Sequence, residues 1–133
     1  MPVGLFVRGR LSEPHKTLKQ FVAQHPEIVG VAAGKKGQIE SPLLSGDCLD
    51  VSFVRRYSWI AVEVKSRTSN EADIARGIFQ CVKYLAVMEA ILIAKSQPVN
   101  ARALLVLEGK LSPKLVSLKN KLGVEVIDGV KPK

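Results

Sequence analysis

The residues best suited to do chemistry are Asp50, Glu63 and Lys65, which lie in one short segment of the chain. Two apolar runs flank a four-residue polar stretch there, a spacing that predicts two antiparallel strands joined by a tight turn. The runs are 49–54 and 59–64. With the turn centred after Arg56, Asp50 lies directly opposite Glu63. Because buried carboxylates are unfavourable unless paired or bound to a cation, the segment predicts a magnesium site.

Period-2 alternation sorts the predicted hairpin into two faces. One face is apolar and should pack on the core; it carries Leu49, Val51, Phe53, Ile60, Val62 and Val64. The other is mixed; it carries Asp50, Ser52, Val54, Trp59, Ala61, Glu63 and Lys65. An alternative interpretation of the mixed face is a half-exposed sheet surface with a Glu63–Lys65 ion pair and no metal.

The composition is that of an ordinary globular protein with a basic excess. The 133 residues are 47% hydrophobic and 24% charged, and the formal net charge is +8. This length predicts one domain, over residues 1–133, with a core of its own. A basic excess spread through a small domain favours a polyanionic partner, foremost nucleic acid, although some basic proteins have no such partner.

Several other functions have no support in the sequence. Cys48 and Cys81 are the only cysteines, and without a Cys-x-x-Cys pair or suitably spaced His they predict neither a zinc site nor a redox motif. The lysines of loop 34–37 lack the spacing of a phosphate-binding loop. No secretory signal is recognisable, and Glu89 interrupts the longest apolar stretch. We therefore expect a cytoplasmic protein with no membrane partner.

Helices and strands must alternate to position the hairpin. The expected elements are a weak strand or arm over 1–11, a helix from Ser12 to His25-Pro26, a strand over 28–33, the hairpin, a helix opened by a Thr68/Glu71 capping box, a strand over 101–107, a helix from Ser112-Pro113 to Gly123, a strand over 124–127 and a loose tail over 128–133. This order predicts an α/β domain with a mixed central sheet and helices on both faces.

The long helix after the hairpin has two predicted faces. The core-facing stripe comprises Ile74, Ile78, Cys81, Val82, Leu85, Met88 and Leu92. An adjoining polar face places Gln80 and Tyr84 one turn apart. The alternative for that second face is a polar helix edge packed on the sheet.

The order of acidic strand, Glu-Val-Lys strand and helix with Gln-x-x-x-Tyr resembles the PD-(D/E)XK nuclease superfamily. Restriction endonucleases, Holliday-junction resolvases and RecB-type nucleases are among its members. The resemblance covers residues 13–127 and depends on motif order, spacing and hairpin register, because the Glu-x-Lys triplet alone is weak. It implies a single nuclease domain with a restriction-endonuclease-like core, which hydrolyses DNA as an endonuclease or exonuclease with Mg²⁺ or Mn²⁺.

The resemblance also implies roles for individual residues. Asp50, Glu63 and the backbone carbonyl of Val64 would bind the metal, and Lys65 would position water or stabilise charge. The pattern's proline is missing before Asp50, and Asp47 offers a competing assignment that the hairpin register disfavours.

Helical residues complete the implied site. Gln80 and Tyr84 match the Gln-x-x-x-Tyr element of RecB-like members. Glu13 resembles an acid that some members add from the first helix; the alternative is a charge that merely favours the helix dipole. His15 and His25 are expected to be structural or solvated.

Five cations are expected to contact phosphate: Arg55, Arg56, Arg67, Arg76 and Lys83. A homodimer would suit the cutting of two strands. Two alternatives to a nuclease stay open. One is a catalytically weak or inactive module of this fold that binds nucleic acid or a partner protein. The other is an α/β protein whose acids form surface ion pairs.

Overall fold

A computed structural model describes residues 13–32 and 34–133. In chain order its elements are α1 (Glu13–Gln24), a 3-10 helix (Pro26–Val29), β1 (Gln38–Pro42), β2 (Cys48–Arg55), β3 (Ser58–Lys65), α2 (Glu71–Ala94), β4 (Ala101–Leu107), α3 (Pro113–Leu122) and β5 (Glu125–Ile127). The expected arm over 1–11 lies outside the described residues.

One five-stranded sheet has the order β1-β2-β3-β4-β5. The first three strands pair antiparallel, whereas β4 and β5 continue the sheet in parallel. The parallel pairs are connected through α2 and α3, since a parallel connection must cross back over the sheet. The predicted α/β class with a mixed central sheet is confirmed.

Helices cover both faces of this sheet. On one face, Leu18 and Val22 of α1 pack in a buried cluster with Val51, Phe53 and Val62. On the opposite face, α2 and α3 form two further clusters with the sheet; their buried members include Ile78, Cys81, Tyr84, Met88, Leu105, Leu107 and Leu115. The hairpin is therefore held between α1 and α2.

The start of α2 differs from the prediction by two residues. Asn70 caps the helix, with its side chain accepting from Asp73 N–H while the Asp73 carboxylate accepts from Asn70 N–H. The predicted Thr68/Glu71 box is wrong, because the Thr68 hydroxyl is bonded to Ser66 instead.

The predicted core stripe of α2 is correct for most residues and wrong for Val82, which is 41% exposed, while Tyr84 takes a buried place. By length and composition alone, α2 is apolar enough to cross a membrane. Core helices also meet that criterion, and here Ile78, Cys81 and Met88 pack on the sheet. The cytoplasmic location stays a prediction.

Two other expectations are corrected. Residues 28–32 of the apolar run 28–33 do not form the first strand, because Pro26 opens a 3-10 helix that ends at Val29 and is capped by Gly30. The edge strand β1 is instead largely polar, and Pro42 is tolerated there because an edge strand pairs on one side only. The tail is not loose after Ile127: Gly129 and Val130 N–H groups donate to the carbonyls of Gly109 and Leu107 at 2.9 and 3.0 Å.

Candidate functional site

The β2–β3 register places Asp50 at the level of Glu63. Observed pairs run from Arg55↔Ser58 to Val51↔Val62, so the predicted turn position is confirmed and the next pair in sequence is Asp50 with Glu63. The regular ladder stops at Val51, and the Asp50 carboxylate accepts a hydrogen bond from Val64 N–H at 2.9 Å. A side chain therefore replaces a backbone acceptor where the site begins.

The strands leave the regular pleat at this point. β1 pairs with β2 on either side of Glu40 and Asp50 but not between them, and Glu40 has φ 55°. Leu49 consequently packs with Tyr84 and Met88 on the α2 face, so its predicted placement beside Val51 is wrong. The Asp50 carboxylate turns toward α1, which strict alternation did not predict.

Two residues of α1 contact Asp50. Lys19 Nζ lies 3.3 Å from Asp50 Oδ1 and 3.2 Å from Glu40 Oε2, and His15 Nε2 lies 3.8 Å from Asp50 Oδ1. Burial lowers the pKa of Lys19, but the charges of Asp50 and Glu40 outweigh it and leave the pKa above its ordinary value. Sequence reasoning missed Lys19 and set His15 aside.

Helical periodicity could have found both residues. Leu18 and Lys19 lie three and four residues after His15, and Val22 lies four and three residues after them, which places all four on one face of α1. Leu18 and Val22 are fully buried, so that face is turned toward the sheet.

Glu63 lies on the α2 side and is 8% exposed. Tyr84 Oη donates to its Oε1 at 3.3 Å, and Lys65 Nζ lies 3.5 Å from its Oε2. Burial, followed by repulsion from Asp50, raises the pKa of Glu63 to about 7 despite the opposing effect of Lys65. Burial and the Glu63 charge likewise raise the pKa of Tyr84, so its phenol stays a donor.

The pKa of Asp50 shifts the other way. Burial alone would raise it, but His15, the Val64 N–H group and Lys19 together bring the pKa below its ordinary value. Two neighbouring carboxyl groups therefore differ: one is held ionised, and the other titrates near neutral pH.

Gly77 allows α2 to approach Lys65 closely. A Cβ at this position would lie 3.0 Å from Leu105 Cδ1 and 3.2 Å from Lys65 Cε. Such contacts are tighter than normal packing, so the absence of a side chain lets α2 cover the aliphatic stem of Lys65.

The other predicted helical residues are less closely joined to the acids. Gln80 is half-buried and makes no side-chain hydrogen bond to another described residue. Glu13 is exposed and lines a cavity of about 210 Å³ with Arg67 and Glu108. Within the described part of the chain, no hydrogen bond or salt bridge joins Glu13 to the residues around Asp50 and Glu63.

Three of the predicted phosphate contacts already have acidic partners. Arg67 donates through its backbone N–H to Glu108, whose carboxylate is also 3.9 Å from the guanidinium, and Arg76 pairs with Asp73. Lys83 Nζ lies 3.1 Å from Asp47, which Ser45 Oγ also contacts at 2.7 Å. The Ser45 hydrogen bond and Lys83 lower the pKa of Asp47. Asp47 precedes β2, as expected.

Arg55 and Arg56 lie at the turn, the far end of the hairpin from Glu63. Glu63 lies five residue steps along β3 from Ser58, which corresponds to about 17 Å. The structure therefore does not bring these two cations to the acids.

The oxygen donors fit Mg²⁺ in type. Lys65 C=O faces β4, where it accepts from Glu108 N–H, so the N–H and C=O of the preceding Val64 face β2. The Val64 carbonyl therefore lies on the Asp50 side of β3. In the described ranges no three His, Cys, Asp or Glu side chains converge, but Mg²⁺ commonly uses one or two carboxylates and retains water. Lys19 Nζ, 3.3 Å from Asp50 Oδ1, occupies the side of this carboxylate where a cation would bind.

Comparisons with known proteins give little beyond this geometry. Neither a protein-family model nor a curated protein matches the chain. Among solved structures, the chain is similar to the crystal structure of protein VC1899 from Vibrio cholerae, at 20% identity and a TM-score of 0.44. The match covers 86% of this chain and 28% of the other.

Proposed function

We propose that this protein is a magnesium-dependent nuclease with a restriction-endonuclease-like core, and that it hydrolyses phosphodiester bonds of DNA. The observation that carries the proposal is the placement of Asp50 and Glu63 at matching positions of adjacent strands, with Glu63 buried, the Asp50 side chain 15% exposed and Lys65 Nζ 3.5 Å from Glu63. Buried ion pairs contribute little net stability, whereas strongly perturbed carboxyl groups cluster at active sites.

Each residue has a definite task in this proposal. Glu63 and the Val64 carbonyl would hold the metal together with Asp50, whose carboxylate would have to turn from Lys19 toward Glu63. The metal, when bound, supplies charge stabilisation and an activated water. Lys65 would donate a hydrogen bond to the nucleophile or to a phosphate oxygen. Tyr84 fixes the Glu63 carboxylate by donating to Oε1 at 3.3 Å. A cytoplasmic location and a homodimer that cuts both strands belong to the same proposal.

Divalent-ion-dependent cleavage of DNA by the pure protein tests the proposal. Asp50→Asn and Lys65→Met should each reduce the rate at least about 100-fold with the fold retained. Asp47→Asn is the matched control, because Asp47 is a nearby acid outside the site that pairs with Lys83. Wild-type rates in both Asp50→Asn and Lys65→Met would exclude this site as the catalytic centre.

One observation favours a second candidate, a catalytically weak module that binds nucleic acid. Asp50 is 3.3 Å from Lys19 and Glu63 is 3.5 Å from Lys65, so the buried charges balance without a metal. DNA binding that weakens with salt, combined with no cleavage in Mg²⁺ or Mn²⁺, would support this candidate over the nuclease.

A further inference from the structure

The turn of the β2–β3 hairpin borders two adjoining cavities, at the opposite end of the strands from Glu63. One has a volume of about 360 Å³ and lies between the turn and the last residues of α2; the other, of about 340 Å³, is bordered by residues 30–32. We call the two together the tip cleft. Their shared lining residues are Arg55, Ser58, Trp59 and Asn100.

The larger cavity carries positive charge without an acid. Arg55, Arg56 and Lys95 line it, and no salt bridge joins any of the three to an acid in the described ranges. Arg55 Nη2 donates to the Lys35 carbonyl at 2.6 Å, which ties the loop bearing Lys35 and Lys36 to the same end. In the smaller cavity Arg102 is already paired with Glu125. The unbalanced charge favours an anionic ligand.

Two aromatic side chains stand beside these cations. Tyr57 is 65% exposed, with the Arg56 guanidinium 5.2 Å from its ring centre. Trp59 is held by the hydrogen bond from its Nε1 to Ser52 Oγ at 3.1 Å. Asn100 fixes the turn, because its Nδ2 donates to the Tyr57 carbonyl at 2.6 Å. Positioned aromatic rings beside cations are the means by which proteins hold unpaired nucleotides.

We propose that the tip cleft binds an unpaired segment of a nucleic-acid strand, with phosphates on Arg56 and Lys95 and a base against Tyr57 or Trp59. The inference rests on the proposed function, since the strand would be the one whose cut lies at Glu63, about 17 Å from Ser58 measured along β3. Helices cover β3 between these points, so the strand would pass around them and span more than the direct distance, which equals about five stacked nucleotides. In this arrangement the DNA would have an unpaired flank near the cut.

Fluorescence provides a direct test, because Trp59 is the only tryptophan in the chain. Titration with single-stranded DNA of about 12 nucleotides, in low salt and EDTA, should change its emission. Arg56→Ala and Lys95→Ala should each weaken binding about three- to tenfold and reduce the salt dependence by about 0.7 in log–log slope. Tyr57→Ala should weaken it about tenfold. Lys121→Ala is the control, since Lys121 is exposed on α3.

Several outcomes would overturn the inference. Unchanged Trp59 emission at saturating DNA would exclude DNA binding in the tip cleft. Equal DNA affinity of Lys121→Ala and of the variants at Arg56, Tyr57 and Lys95 would exclude it as well. Equal emission changes with a blunt duplex exclude an unpaired segment. Asp50→Asn separates the two proposals, because it should lose cleavage and keep the emission change. Magnesium-dependent cleavage by the wild type, combined with wild-type DNA affinity in the Arg56, Tyr57 and Lys95 variants, would contradict the cleft proposal alone. An emission change without cleavage by the wild-type protein would support the cleft and contradict the nuclease proposal.

Discussion

The two ends of the β2–β3 hairpin differ in whether their charged side chains are paired. At the acid end, Glu63 is buried, Asp50 is largely buried, and each lies within 3.5 Å of a lysine. At the turn end, Arg55 and Arg56 have no acidic partner within the described part of the chain. At the acid end, the paired lysines favour the ionised form of carboxyl groups that burial alone would keep protonated. At the turn, the arginine charges remain available to an anionic ligand.

Removal of Lys19 should have the largest effect on this contrast. Lys19→Met should destabilise the metal-free protein by about 3–4 kcal/mol, because the largely buried Asp50 would lose its nearest cation. Urea unfolding in EDTA measures the loss. Lys16→Met, on the exposed side of the same helix, should change little. Equal losses in the two variants would mean that the acid end holds ordinary surface pairs.

Magnesium sharpens that test. In Lys19→Met, Mg²⁺ should raise the melting temperature more than in the wild type, because it no longer competes with Lys19 for Asp50 Oδ1. A smaller rise than in the wild type would contradict this competition.

Glu63 should make stability fall as pH rises. Its pKa is about 7 in the folded protein against an ordinary 4.5, so between these values the folded state binds more protons than the unfolded state. The loss should approach about 3–4 kcal/mol and be complete above the folded pKa. Asp50 acts in the opposite sense, but only at more acidic pH, because its pKa is lowered.

Glu63→Gln provides the comparison for that prediction. Urea unfolding in EDTA, repeated from pH 5 to pH 8, should give a flatter pH dependence for Glu63→Gln than for the wild type. Arg56→Ala at the turn should retain the wild-type slope. Parallel curves for wild type and Glu63→Gln would contradict the raised pKa.

Gly77→Ala should have an intermediate effect. The added methyl group would crowd Leu105 and the Lys65 stem, at an expected loss of about 1–3 kcal/mol offset by up to about 1 kcal/mol of helix propensity. Thermal melting measures the net change. Gly109→Ala is the control, because a Cβ there would meet nothing within 4 Å. A stabilised Gly77→Ala protein would mean that α2 has room to move away from Lys65.

The smallest effect on stability belongs to the turn. Arg56→Ala should change the free energy of unfolding by no more than about 0.5 kcal/mol, because its guanidinium is exposed and contacts the equally exposed Tyr57. Chemical denaturation measures this. A loss as large as that of Gly77→Ala would assign Arg56 a structural role.

Local patterns predicted the parts of the fold that local contacts determine. The hairpin turn is visible as a polar stretch between two apolar runs, and β4 as an apolar run that turn residues bound. The limits of α3 are visible from its cap residues, Ser112 and Gly123. β1 was not predictable in this way, because its polar residues are a strand only through pairing with β2. The tail was missed for the same reason, since Leu107 and Gly109 hold it from a distant part of the sequence.

The site was predictable only in part. Register placed Glu63, Lys65 and Asp50 at one end of the hairpin, but the interrupted pleat near Glu40 redirected Asp50 toward α1. No spacing rule connects Lys19 with Asp50, because packing of α1 on the sheet brings them together. The periodicity of α1 indicates which of its faces packs on the sheet, whereas only the tertiary structure shows that Lys19 contacts Asp50.

The hydrogen bond from Val64 N–H to Asp50 gives the site a built-in spectroscopic signal. Backbone amides of a central strand normally bond to carbonyls of the neighbouring strands, whereas this one bonds to an ionisable side chain at 2.9 Å. In ¹⁵N NMR spectra its resonance should therefore follow the charge and position of the Asp50 carboxylate. Ligand exchange at the acid end would be visible in the amide of a residue that is fully buried.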